Sequence, residues 1–93
     1  MSDIAHRPEQ HVFEATLAEG RGEVAYRLHG DVMTIVHTEV DPDLEGQGVA
    51  GRLVQAALDH ARAEGLKVHP ACSYADAYMQ RHPETASLRA PSA

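Results

Sequence analysis

The sequence lacks tryptophan, holds one phenylalanine and three tyrosines, and carries a single cysteine in 93 residues. So few rings cannot fill a core, which must therefore be aliphatic, built from Val, Leu, Ile and Ala. The lone thiol, Cys72, cannot close an internal disulfide, whereas a small secreted scaffold would be cysteine-rich. No apolar run approaches the roughly 20 residues that a membrane helix needs. Residues 1–11 contain no hydrophobic stretch long enough for a signal peptide. The expectation is a reduced, cytoplasmic compartment with no membrane partner. Positive charge is scarce too: 8 Lys and Arg against 14 Asp and Glu leave a net charge of −6. That argues against nucleic-acid binding, which rests on basic contacts to phosphates.

What is present fits an ordinary globular domain, with 43 % hydrophobic and 24 % charged residues. The length allows one domain, and a chain this short buries only roughly 60–70 % of its unfolded surface. Residues 1–10 are polar, include Pro8, and show no period, so they read as a loose arm. Residues 85–93 read as a flexible tail. The ordered body is expected over residues 11–84, without internal repeats.

Three strands come first. Residues 11–18 carry Val12, Phe13, Thr16 and Leu17, and residues 19–22 read as a turn. Residues 23–29 alternate, with Val24, Tyr26 and Leu28 on one face. Gly30-Asp31 supplies a tight connection into residues 32–40. There Val32, Thr34, Val36, Thr38 and Val40 share one face, and Met33, Ile35, His37 and Glu39 the other. Both faces begin apolar, so this strand reads as central and covered on both sides.

The period then changes. From residue 49 to residue 64 the apolar positions Val49, Leu53, Val54, Ala57, Leu58 and Ala61 define an amphipathic helix that Gly65 ends. Residues 66–69 form a short strand, parallel to the central one because a helix separates them. Ser73 and Asp76 stand at capping-box spacing before a second helix over residues 74–81, which stops before Pro83. The order is β-β-β-α-β-α. The fold class is α/β in the α+β sense: an antiparallel meander followed by α-β-α, with a mixed sheet and two helices.

The segment joining the central strand to the first helix is the most informative. Gly46, Gly48 and Gly51 let backbone approach a ligand. The first helical amides lack partners and the helix dipole favours an anion there. Arg52 adds positive charge in the first turn. The alternative is a plain turn with close helix–strand contact. It is not a P-loop, since no Lys-Ser or Lys-Thr follows, and it is a poor dinucleotide fingerprint. Asp41, Asp43, Glu45 and Gly46 start like a calcium loop. Arg52, however, stands where a bidentate Glu is required, and a strand precedes the loop, so no metal site is expected.

Glu45-Gly46-Gln47-Gly48-Val49-Ala50, with Val40 and Pro42 upstream, resembles the acetyl-coenzyme A loop of the GNAT acetyltransferase superfamily, Gln/Arg-x-x-Gly-x-Gly/Ala. Glu45 departs from the usual Gln or Arg. Four ordered segments extend the likeness across residues 12–84: His37-Thr38-Glu39-Val40, the glycine loop, Pro70-Ala71-Cys72-Ser73-Tyr74, and Arg81-His82-Pro83-Glu84. Together they resemble the short, single-domain YjdJ-type branch of that superfamily. The resemblance implies a truncated GNAT fold, without the extra helices and strands that help to build an acceptor pocket. It implies acetyl-CoA as donor and an unidentified amine acceptor, a small molecule or a protein lysine. It places the cofactor on Val40, Gln47, Gly48, Val49, Ala50, Gly51 and Arg52.

Acetyl transfer needs a route for the amine proton, donors for the carbonyl oxygen and an acid for the leaving thiolate. Tyr78 stands where the superfamily places that acid, and otherwise reads as a core or rim tyrosine. Cys72 lies at the start of the second helix, where a thiol pKa falls; otherwise it is a small buried residue. The resemblance pairs Cys72 with His37 as base or orienting group. The catalytic candidates are thus Cys72, His37 and Tyr78. Glu39 reads as a charged strand end or a general base, and His82 as a cap on the last helical carbonyls. His6, His11, His29, His60 and His69 have no partner at metal-ligand spacing and read as surface residues. The alternatives to an acetyltransferase are a CoA-binding module without transferase activity, and an interaction domain whose glycine loop binds nothing.

Overall fold

The computed structural model describes residues 3–44 and 46–91; Glu45 of the glycine loop and the terminal pairs of residues lie outside it. Five strands form one sheet in the order β1-β2-β3-β4-β5: Ile4–Arg7, Val12–Leu17, Gly20–His29, Val32–Val40 and Lys67–Pro70. The first four run antiparallel, and β5 lies parallel to β4. Helix α1 (Val49–Ala63) connects β4 to β5, and α2 (Ser73–Arg81) follows.

The apolar period of α1 explains its packing. Val49, Leu53, Val54, Ala57, Leu58 and Ala61 are all buried. They meet Phe13, Ala15, Val24, Tyr26, Met33, Ile35 and Val68 of the sheet in a single core that also takes Ala75, Tyr78 and Met79 of α2. Each buried Val, Leu, Ile, Phe or Met side chain among them contributes about 1.5–3 kcal/mol, and each alanine less. The helix closes as its composition predicts: Gly65 takes a positive φ, and the Leu66 N–H bonds the Ala61 carbonyl.

Several expectations need correction. The sheet is covered on one face, not two. Both helices lie against the Val24 side, and the opposite face, carrying Arg27, His37 and Glu39, stands in solvent. Residues 4–7, expected as a loose arm, pair with β2 from Ile4 to Arg7. His6 stacks on Phe13 and bonds the Tyr26 hydroxyl at 2.6 Å, while His60 meets both rings edge-on. His6 and His60 are thus half-buried, not surface residues. The expected tail also docks. Residues 83–88 form a 3-10 turn with Thr85 and Leu88 buried, and Ala90 N–H bonds the Val68 carbonyl. The turn expected over residues 19–22 is tighter, because Leu17 already pairs with Gly20. Gly22 sits inside β3 because α1 crosses it closely. A Cβ there would lie 3.0 Å from Val40 and 3.1 Å from Leu53 side-chain carbons. The Ser73–Asp76 capping box does not form. Helix α2 starts one residue early, with Cys72 as its cap residue, and the Asp76 carboxylate is taken by Arg89 and Gln80.

One irregularity matters for the site. The β3–β4 register pairs Tyr26 with Ile35 but Ala25 with His37, so Val36 is an extra residue in β4. Such a bulge restarts the alternation. Thr38, opposite Val24, and Val40, opposite Gly22, now join Met33 and Ile35 on the helix side. His37 and Glu39 are turned to the open face. The simple alternation expected for residues 32–40 therefore fails in its second half.

Candidate functional site

Strand β5 accompanies β4 only as far as Ile35, where Pro70 ends the ladder. The chain then turns into α2, and the Cys72 N–H bonds the Ile35 carbonyl. This places the Cys72 thiol against the second half of β4, where its Sγ lies 3.4 Å from Thr38 Oγ1. Burial pushes the thiol pKa up. The thiol donates to the Thr38 hydroxyl oxygen. The stabilisation that this hydroxyl and the nearby backbone of Ala75, Tyr74 and Thr38 give a thiolate outweighs burial, and the pKa falls below the ordinary thiol value.

The glycine loop sits at the end of the same strand. Buried Leu44 and Val49 anchor it on either side. Gly46 and Gly48 adopt φ of 83° and 73°, which few other residues tolerate. Gly48 is the cap residue of α1, and the helical ladder begins at Arg52 N–H to Gly48 O. Three amides, of Val49, Ala50 and Gly51, precede that bond without an intrahelical partner, and no described side chain caps the helix. Among the described residues Arg52 makes no ion pair; its side chain is exposed beside this turn. Gln47 folds back on its own loop, its N–H bonding Leu44 O and its side-chain amide reaching Asp43 O. Val40 is half-buried beneath the loop, against Gly22. Among the described residues this helix start has no side-chain cap and Arg52 no ion pair, so backbone donors and a positive charge stand together there.

Helix α2 lays two tyrosines across α1. A Cβ at Gly51 would stand 3.5 Å from the Tyr74 hydroxyl oxygen and 3.5 Å from Tyr78 Cε2. Tyr78 is buried, its ring stacks on His82, and its hydroxyl donates to Gln55 Oε1 at 2.5 Å. Burial, with smaller contributions from Tyr74 and Glu84, raises its phenol pKa, so it keeps its proton. That proton is committed to α1, and the acid role expected of Tyr78 requires the bond to Gln55 to break. His82 caps α2 as expected, its Nδ1–H donating to Tyr78 O at 2.8 Å. Sequence reasoning missed Thr38, Gln55 and the hydroxyl of Tyr74. Nothing in their spacing marks them; the bulge and the α1–α2 crossing do.

The structure does not bring His37 to Cys72. The imidazole is 52 % exposed on the open face, and its Nε2 lies 3.2 Å from Glu39 Oε1. Glu39 also lines a shallow acidic cleft with Glu14, Arg21, Gly22, Glu23 and Asp41. That cleft belongs to the outer face, not to the sheet edge that holds Cys72. Among the described residues no cluster of three metal-ligating side chains occurs, and no helix is long and apolar enough to cross a membrane.

The strand expected to be central is fourth of five, beside the edge strand. A mixed sheet, a parallel final pair that stops midway along β4, and a helix that no described side chain caps after a glycine loop together make an acetyltransferase-type fold. The family model for the GCN5-related N-acetyltransferases matches residues 12–88, and the chain belongs to that family. It is similar to the protein NATD1 of Xenopus tropicalis, 40 % identical over 83 residues, and to that of Mus musculus, 31 % identical over 83 residues. Both matches cover 86 % of this chain and 76 % of the relative. The match to human NATD1 is 38 % identical over 52 residues and spans 46 % of that protein. Among solved structures, a GCN5-like protein from Staphylococcus aureus superimposes with a TM-score of 0.76 at 27 % identity, covering 100 % of this chain and 94 % of that one.

Proposed function

We propose that this chain transfers an acetyl group from acetyl-CoA to an amine acceptor, a small molecule or a protein lysine. One arrangement carries the reading: α1, whose first amides no described side chain caps, starts beyond the end of β4, and the Cys72 thiol meets Thr38 near that same end. The Val49, Ala50 and Gly51 amides with Arg52 would hold the pyrophosphate. Gln47, Gly48 and Val40 would line the path towards the sheet edge. Bound there, acetyl-CoA supplies an activated thioester. Cys72 is the nucleophile this chain offers to it, at the start of α2, where the helix dipole favours negative charge.

Thermal unfolding with acetyl-CoA, CoA and plain adenosine nucleotides tests the donor. A ligand at a hundredfold excess over its Kd adds about 2.7 kcal/mol to stability. A rise in Tm specific to acetyl-CoA and CoA is expected, and no rise at millimolar acetyl-CoA would sink the reading. The exposure of His37 on the wrong face favours a second reading, a CoA-binding module without turnover. Cys72→Ala separates the two, since acetyl transfer collapses for an enzyme while CoA affinity stays unchanged for a binder.

A further inference from the structure

The bulge at Val36 exchanges the neighbour that meets Cys72. Regular alternation after Ile35 would turn His37 to the helix side and Thr38 outward. The extra residue reverses this, and Thr38 Oγ1 lies 3.4 Å from the sulfur while His37 pairs with Glu39 behind the sheet. Thr38 is the side chain whose hydrogen bond with the sulfur is seen, and its hydroxyl and backbone, with the backbone of Ala75 and Tyr74, favour the thiolate. No charged side chain contributes to this set. On α2, Asp76 is tied to Arg89 and Gln80, and on β4 Glu39 is tied to His37. On β5, His69 is exposed, as is Arg52 on α1.

We propose that Thr38 is the positioning residue of Cys72, in the role that the resemblance assigns to His37. The inference rests on the reading of Cys72 as nucleophile. The thiol gives its proton to water, and the thiolate accepts the Thr38 hydroxyl and the surrounding N–H groups. In acetyl transfer a bond forms between Cys72 Sγ and the acetyl carbon, the bond from that carbon to the CoA sulfur breaks, and the departing thiolate takes a proton from water. No imidazole enters the balance.

The test is alkylation of the single cysteine by iodoacetamide as a function of pH, followed by intact mass, in the full chain. It needs no acetyl-CoA, so it stands or falls apart from the donor assignment. Thr38→Val keeps the shape and removes the hydroxyl. Alkylation at neutral pH is expected to slow about five- to tenfold, with the profile moving to higher pH, as befits a lost hydrogen bond to a charged group. Thr38→Ser restores the wild-type profile, and His37→Ala leaves it unmoved. Acetylation of Cys72 by acetyl-CoA falls with Thr38→Val while acetyl-CoA affinity holds. Coincident profiles for wild type and Thr38→Val would overturn the proposal, as would a shift in His37→Ala as large as that in Thr38→Val. Should Thr38→Val fail to fold, Thr38→Ala against Thr38→Ser decides by the same readout.

Discussion

Replacing Gly51 by alanine separates packing from ligand binding. The new Cβ would stand 3.5 Å from both the Tyr74 hydroxyl oxygen and Tyr78 Cε2, which is ordinary van der Waals distance. The methyl therefore meets no steric penalty, and the helix gains part of the alanine–glycine propensity difference, about 0.5–1 kcal/mol. In a domain of this size that gain raises Tm by about 2–8 °C. The same methyl stands beside the third amide of α1, facing the two tyrosines, and narrows the approach of the pyrophosphate proposed to bind there. Affinity for acetyl-CoA is expected to fall about tenfold, which removes about 1.4 kcal/mol of ligand-induced stabilisation at fixed ligand concentration. Melting curves with and without acetyl-CoA read both effects in one experiment: the free protein melts higher and the ligand shift shrinks. A lower Tm in the free variant would refute the packing argument. An undiminished ligand shift would refute the placement of phosphate at this turn.

Gly22→Ala has the opposite steric sign, because its Cβ would press on Val40, Leu53 and the Glu39 carbonyl at 3.0–3.3 Å; a loss of about 1–3 kcal/mol in urea unfolding is expected. Tyr78→Phe removes the bond to Gln55 and costs about 1 kcal/mol by the same assay. Tyr74→Phe leaves stability within about 0.5 kcal/mol, since its hydroxyl has no hydrogen-bond partner among the described residues, but weakens CoA binding in a calorimetric titration. Burial and the nearby His60 hold the His6 pKa below the ordinary imidazole value of about 6.5, against a smaller opposing pull from Glu9. The unfolded chain therefore binds more protons than the folded one. Stability is whole above that value and falls as the pH drops below it. A melting series between neutral and mildly acidic pH should show this decline, and a smaller one in His6→Phe. A flat wild-type series would refute it.

The legible parts of the chain were those with a long period. Helix α1 repeats its apolar stripe over four turns, so its limits and buried residues follow from the sequence, and the glycine loop follows from its position between strand and helix. Strand β1 was hidden because four residues with a histidine on the inner face carry no pattern; only the stack on Phe13 and the bond to Tyr26 show what His6 is for. The docked tail was hidden for a similar reason, its hold resting on buried Thr85 and Leu88 amid Ala, Ser and Pro. The site was legible as a neighbourhood and not as contacts. Tyr74 and Tyr78 of α2 reach the first turn of α1, and Cys72 reaches the far half of β4. The choice of Thr38 over His37 depends on one extra residue, and an alternation of apolar and polar letters cannot register an insertion that preserves composition.

That extra residue sets which face the far half of β4 turns to the helices. With Val36 looped out, a hydroxyl faces the sulfur; with Val36 drawn into a regular ladder, the whole far half of β4 would rotate and an imidazole would take its place. Deleting Val36 would keep Thr38 inward while straightening the backbone, and substitutions elsewhere in the site cannot mimic either change. A change at Val36 thus acts on Cys72 through the backbone register of β4, which exchanging one side chain for another around the thiol does not reproduce.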